Sequence, residues 1–309
     1  MKVLVTGRAI PKQPDRCTSQ QLAEGFRQAG HDAIFYGNFC GEPYRYLGAD
    51  EAASNEFDLI VIGEMNDGYP GYPLNTLNLT GTPRLYWDFD VSYHPEVSYR
   101  RAQSYNADGF LVGNRYFCGP DGFGRYGKPV LHLPYACSPH IHRSLDVPRQ
   151  YLLGFIGSMT EERKRLIGIC RNATPKLSDV FAGDGIFGED LIAHTNSFHV
   201  MFHNNQDACK GLVPGRPWET AGCGTALLMD ATSYDDFVEF IPEKYRDAIF
   251  MYTSDDDILA VIAHMKDNTA YMHVCANDLG EYVRRNHSYR NRAEAIVAFV
   301  EGEGRNTCE

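Results

Sequence analysis

The sequence predicts an α/β protein built as two doubly wound halves, and three observations carry that prediction. Short apolar runs that read as strands alternate with segments of helical period. The alternation is interrupted once, by a polar, proline-bearing stretch from Ser138 to Gln150, and then restarts. The chain has 309 residues, more than one hydrophobic core comfortably serves, so two domains are expected.

In the first half, Lys2 to Thr6 reads as a buried strand followed by a loop from Gly7 to Arg16. Thr18 or Ser19 can cap a helix from Gln20 to Ala29. Its face is Leu22, Ala23, Phe26 and Ala29, and Gly30 stops it. Further strands are expected over 33–36, 57–62, 84–87, 109–112 and 130–133. Short apolar strands joined by crossovers imply a parallel sheet covered on both faces. In the second half, Tyr151 to Ile156 is a strand ending in Gly157-Ser158, followed by a helix from Glu161 to Cys170. Strands follow over 178–182, 198–202, 225–229 and 249–252. Helical period then dominates over 255–266, 276–285 and 289–300. The expected organisation is an N-terminal Rossmann-like domain over 1–143 and a second over 144–285. A C-terminal helix and tail, 286–309, is free to cross back to the first. A cleft between the halves completes the expected architecture.

Composition narrows the function. A net charge of −11 argues against a broad nucleic-acid face or an anionic-membrane surface. Nine cysteines, odd in number and without a C-x-x-C pair, read as reduced thiols in a cytoplasmic protein. No apolar run approaches the roughly 20 residues that span a bilayer, so no membrane partner is expected.

The segment Arg216 to Leu227 is the most informative. A short helical turn carries Glu219, breaks at Gly222-x-Gly224 and runs into the apolar strand Ala226 to Met229. Backbone N–H groups beside one fixed carboxylate suit a ligand with phosphates and a ribose diol, that is, a nucleotide-sugar. Gly157-Ser158, opening a helix, is a second place where a diphosphate can approach. Ser158-x-x-Glu161 also reads as a capping box that satisfies the same amides internally. Of Arg163, Lys164 and Arg165 one can reach a leaving diphosphate, and a solvated helix face explains at least two. For a general base, Asp88 lies just beyond a strand end, with Glu64 and His94 as further candidates. Asp255 to Asp257 reads as a helix cap. His199 and His203, four apart, fall in a strand, which argues against a helical metal pair. Tyr69 to Tyr72 reads as an acceptor-side loop or an ordinary turn.

Four motifs occur in the order found in CgeB-like glycosyltransferases of the GT-B group. They are Leu133 to Ala136, Phe155 to Ser158 followed by Glu162-Arg163, Glu219 to Gly224, and His287 to Arg292. The sequence resembles that family over about 84–300. The resemblance implies two Rossmann-like domains facing a central cleft, with the nucleotide-sugar held mainly by the second and the acceptor by the first. It implies that Glu219 holds the donor ribose, that Gly222, Gly224 and Thr225 present donors to the phosphates with Arg216 adding a charge contact, and that Phe181 to Gly183 lines the nucleobase. Many retaining members carry a second acid eight positions earlier; here that position is Gly211. A UDP-sugar is the donor of first choice, with no cofactor required. A divalent metal held by Asp88 and Asp90, as in the GT-A group, is the alternative. The acceptor is a hydroxyl on a small molecule, a glycan or a hydroxymethylated DNA base. For DNA, Arg284, Arg285, Arg290 and Arg292 are the one basic cluster. A sugar-nucleotide epimerase and a catalytically degenerate nucleotide binder are the alternative functions.

Overall fold

A computed structural model describes residues 1–9, 17–39, 46–47, 56–63, 81–89, 91–92, 94–174, 176, 179–205 and 210–302. Glu64, Asp90 and the Tyr69–Tyr72 loop lie outside them. The chain forms two compact units, Met1–Tyr135 with Tyr289–Glu309, and Ala136–Ser288. The crossings are at 135/136 and 288/289, where the sequence reading put boundaries at 143/144 and 285/286.

The first unit holds β1 (Lys2–Ala9), α1 (Thr18–Gln28), β2 (Asp32–Phe39), β3 (Tyr46–Leu47) and β4 (Leu59–Ile62). It continues with β5 (Arg84–Asp88), α2 (Pro95–Ser104), β6 (Gly109–Val112) and β7 (Val130–His132). The sheet order is β3-β2-β1-β4-β5-β6-β7, parallel except for β3. Val3, Leu4, Val5 and all of β4 are fully buried, as strands covered on both faces require. α1 starts at Thr18 because Cys17, not Thr18 or Ser19, stands at the cap, and no side chain caps it.

The second unit holds β8 (Tyr151–Ile156), α3 (Glu161–Ala173), β9 (Val180–Gly183), α4 (Gly188–Asn196) and β10 (Phe198–His203). After these come α5 (Gly215–Gly222), β11 (Ala226–Asp230), α6 (Ala231–Val238), β12 (Ile249–Tyr252) and α7 (Asp255–Asn286). Its sheet is parallel throughout, in the order β12-β11-β10-β8-β9. The strand order reverses between β8 and β10, the switch point at whose carboxyl ends open α/β sheets bind ligands. Ser254 and Asp257 form a reciprocal capping box at the start of α7, as the acidic run there predicts. α7 merges two expected helices and bends at Asn268.

The stretch 138–150 is not a free linker. Cys137 donates its amide to the His287 carbonyl at 3.0 Å, and the Leu145 amide bonds Asn196 Oδ1 at 2.8 Å. Arg149 donates to the carbonyls of Phe198 and Gly224 and to Thr225 Oγ1. These bonds draw the unit boundary back to residue 136.

The last helix, α8 (Tyr289–Val300), belongs to the first unit. It crosses α1 at Gly25, where a Cβ would stand 2.3 Å from the Tyr289 carbonyl oxygen, so only glycine fits. Arg292 is buried and donates to the carbonyls of Pro134 and Tyr135, both at 2.9 Å. Arg284 donates to the Gly222 carbonyl and Arg290 pairs with Glu294 at 2.9 Å. Of the basic cluster expected to track DNA, Arg284 and Arg292 are therefore engaged by backbone carbonyls, while Arg285 and Arg290 stand exposed.

Candidate active site

The site is assembled at the switch point of the second unit. β8 ends at Ile156, and the chain turns through Gly157, whose amide bonds the Gly183 carbonyl at the end of β9 at 3.1 Å. The expected Ser158–Glu161 capping box does not form. Thr160 is the cap of α3, its hydroxyl accepting from the Arg163 amide at 3.3 Å, because the helix begins at Glu161, three residues beyond Ser158. Ser158 is exposed and accepts from Arg163 instead.

Arg163 ties the switch point together. Nη1 donates to the Ser158 carbonyl at 2.9 Å, Nη2 to the Asn204 carbonyl at 2.7 Å, and the guanidinium lies over the Phe155 ring. One end of β8 and one end of β10 are thus held by one cation. Lys164 pairs with Glu161, and Arg165 with Glu162 and Asp255, so these two form the solvated face.

Just beyond the carboxyl end of β10, α5 begins after Pro214, which gives its leading amides no side-chain cap. Trp218 is fully buried against Phe237, Phe240 and the His287 ring, which fixes the helix. Glu219 and Arg216 lie one turn apart, with Nη1 2.9 Å from Oε2 and side chains 27% (Arg216) and 19% (Glu219) exposed. Burial pushes the Glu219 carboxyl above the usual carboxylate range, and the Arg216 charge opposes it. The contact is an ion pair by distance only, since Arg216 Nη1 is buried without an aligned hydrogen bond. Among the described residues Arg163 Nε and His203 Nε2 are buried without a hydrogen-bond partner as well. Burial first, then the charges of Arg216 and Arg163, pull the His203 imidazole down to about 3. Two cations and a histidine, each with a buried nitrogen lacking a hydrogen bond, therefore meet at one sheet edge. Such groups are costly to leave unpaired, by about 1–3 kcal/mol each, and they complement an anion.

Three expected phosphate contacts are corrected. Gly222, Gly224 and Thr225 lie at the opposite end of α5, where a helix presents carbonyls and negative potential. Their hydrogen bonds are made internally. Gly224 N bonds the Ala221 carbonyl at 2.8 Å, and the Thr225 hydroxyl donates to Thr195 at 2.7 Å. Gly224 and Thr225 accept from Arg149, and the Gly222 carbonyl accepts from Arg284. Phe181 is also displaced from its expected role. Its ring stacks on His194 at 4.5 Å and packs with Tyr151 and Phe198 in the core, while Gly183 alone reaches the edge.

Residues 152–298, a little under half the chain, match the family described as glycosyl transferase-like. The fold is similar to sucrose-phosphate synthase from Thermosynechococcus elongatus, at 12% identity, 98% of each chain and a TM-score of 0.60. It is similar to an alpha-glucosyltransferase solved with UDP and a DNA 13-mer containing an HMU base, at 12% identity, 98% of each chain and 0.66. It is also similar to Anabaena HepE solved with UDP and glucose, at 11% identity, 98% of this chain, 100% of that one and 0.63. The chain has the two-unit fold of these glycosyltransferases, and its second unit carries the glycosyl transferase-like match. No curated protein matches it, and the comparisons lend the epimerase reading no support.

The candidate bases of the first unit fare differently. Asp88, at the end of β5, is buried with both oxygens engaged: Oδ2 accepts from the Tyr86 hydroxyl at 2.8 Å and Oδ1 from the Val91 amide at 2.7 Å. That carboxylate shapes the loop after β5 and is poorly placed to take an acceptor proton or bind a metal. His94 is exposed at the start of α2, and its side chain makes no capping bond. Glu64 and Asp90 lie outside the described residues. Gly211, where the resemblance places a second acid in retaining enzymes, gives its amide to buried Asp236 at 2.6 Å. His203 was missed as a site residue. Its place as the last residue of an apolar strand, at the carboxyl edge of the sheet, was the available signal.

Proposed function

We propose that the enzyme moves a sugar from a UDP-sugar to a hydroxyl acceptor, without a metal. The observation that carries the reading is the set of under-bonded cationic nitrogens beside the uncapped start of α5, with one largely buried carboxylate, Glu219, on the same helix. The leading amides of α5 and the Arg216 guanidinium suit a diphosphate, by dipole and by charge-assisted hydrogen bonds. Glu219 suits a ribose diol, each carboxylate oxygen accepting from one hydroxyl. On donor binding Arg216 turns from Glu219 toward phosphate, freeing the carboxylate. As the sugar leaves, charge gathers on the diphosphate, and Arg216 with the helix dipole stabilises it in place. Two structural relatives were solved with UDP, which supports the choice of base.

The acceptor proton needs a base, and among the described candidates His94 alone is exposed with an uncommitted side chain. One structural relative was solved with a DNA 13-mer containing an HMU base. The engagement of Arg284 and Arg292 by backbone carbonyls favours a small-molecule or glycan acceptor here. Among the described residues no helix is long and apolar enough to cross a membrane, and the described cysteines are free thiols. The cytoplasm is the proposed location. The test is calorimetric titration with UDP, GDP and their sugars, with and without EDTA. We expect EDTA-insensitive binding of UDP and UDP-sugars. Absence of binding to any nucleotide sinks the donor reading, and EDTA-sensitive turnover sinks metal independence.

A further inference from the structure

His203 is the last residue of β10, inside the sheet's switch point, and 8% exposed. Its neighbours along the sheet edge are Arg163, which bonds the next residue's carbonyl, and Arg216, on the helix that follows. Its Nε2 has no hydrogen-bond partner among the described residues. A histidine kept for packing alone would be expected to pair both nitrogens, since an unmet buried nitrogen costs about 1–3 kcal/mol. The remaining polar groups nearby have other work. Asp230, at the end of the adjacent β11, accepts from the amides of Asn205 and Ser233, and Tyr252 accepts from Asn204. Among the described residues no carboxylate pairs with the imidazole, and both flanking side chains are cations. A buried imidazole between two cations is complementary to an anion.

We propose that His203 is a binding residue for the donor's diphosphate, its Nε2–H donating to a phosphate oxygen between Arg163 and Arg216. The inference rests on the donor-site reading above. A neutral imidazole suits this position better than a third cation. It adds a directed hydrogen bond without raising the charge that the empty site must hold. When the sugar departs, the same bond remains on the nucleoside diphosphate, so His203 holds the product as well as the donor. Arg163, bonded to the Ser158 and Asn204 carbonyls, holds the end of β10 that carries the imidazole, whereas Arg216 is free to turn.

The test uses the intact chain, labelled with ¹⁵N, and three probes: UDP, uridine and inorganic pyrophosphate. The His203 ring signal is assigned by its loss in His203→Gln. UDP and pyrophosphate should move that signal and uridine should not. By calorimetry, His203→Leu should bind UDP roughly tenfold or more weakly with uridine affinity unchanged, the scale expected for losing a hydrogen bond to a charged group. His203→Gln, whose amide nitrogen reaches the place of Nε2, should recover most of the UDP affinity. A ring signal unmoved by bound UDP overturns the proposal, as does equal loss of UDP and uridine in His203→Leu. If the wild-type chain binds UDP and only these effects fail, the proposal alone is wrong. If it binds no nucleotide, the donor-site reading has failed and His203 falls with it.

Discussion

The two ends of α5 are one short helix apart and chemically opposite. At its start the amides are uncapped, Arg216 and Glu219 form a misaligned pair, and His203 waits unpartnered at the edge of the neighbouring strand. At its finish every named group is satisfied: Arg149 and Arg284 occupy the carbonyls of Gly224 and Gly222, and Thr225 is bonded on both sides. A helix end saturated by its own fold is architecture, and one left short of partners at a switch point is where a ligand completes the structure. The first unit repeats the lesson. Asp88 sits at a strand's carboxyl end as a base should, yet Tyr86 and Val91 engage both of its oxygens.

The largest expected effect strikes the start of the helix. Glu219→Ala should weaken UDP-glucose binding by about 10²-fold or more, since the ribose loses two charge-assisted hydrogen bonds. Calorimetry checks it, and an unchanged affinity would remove Glu219 from the ribose site. Next, Arg149→Ala should destabilise the fold by roughly 3 kcal/mol, because it strips partners from buried carbonyls at the far end. Its UDP-glucose affinity in the remaining folded protein should stay within a factor of about two to three. A large affinity loss with little change in denaturation midpoint would invert the comparison.

Two smaller effects are pH effects. The Glu219 carboxyl is raised by burial, so it takes up its proton at a higher pH than the ordinary value of about 4.3. UDP-glucose affinity should therefore start to fall on the acid side above that pH. Glu219→Gln should bind weakly but without that fall. For His203 the folded value lies near 3 against 6.5 unfolded, so the unfolded chain binds the extra proton between those values. Its contribution to stability is present above pH 6.5 and is lost as pH falls toward 3. His203→Gln should flatten that part of the stability profile, measured by urea denaturation across the window.

Much of the fold could be read from the sequence because parallel strands buried on both faces are near-continuous apolar runs. Leu59–Ile62, Gly109–Val112 and Tyr151–Ile156 stand out on that ground alone. The candidate site was half readable. The sequence singles out Arg216 and Glu219, which the structure brings together, but it puts the phosphate contacts on glycines whose hydrogen bonds are made within the fold. Topology held the remedy. A helix running straight into a parallel strand must end at the sheet's amino edge, so Gly222 to Thr225 could not face a ligand at the carboxyl edge. Asp88 was misread for a related reason, since a strand's period of two puts Tyr86 on its own side, within reach of the carboxylate. Which of Ser158 and Thr160 caps α3 depends on where the backbone first turns helical, and both residues are good caps.

The structure of the chain with UDP bound tests the central claim most directly. The account predicts the diphosphate at the start of α5, within hydrogen-bond distance of Arg216 and the leading amides, with the ribose hydroxyls on Glu219. A diphosphate at the Gly222–Thr225 end, or a ribose that does not touch Glu219, would contradict it.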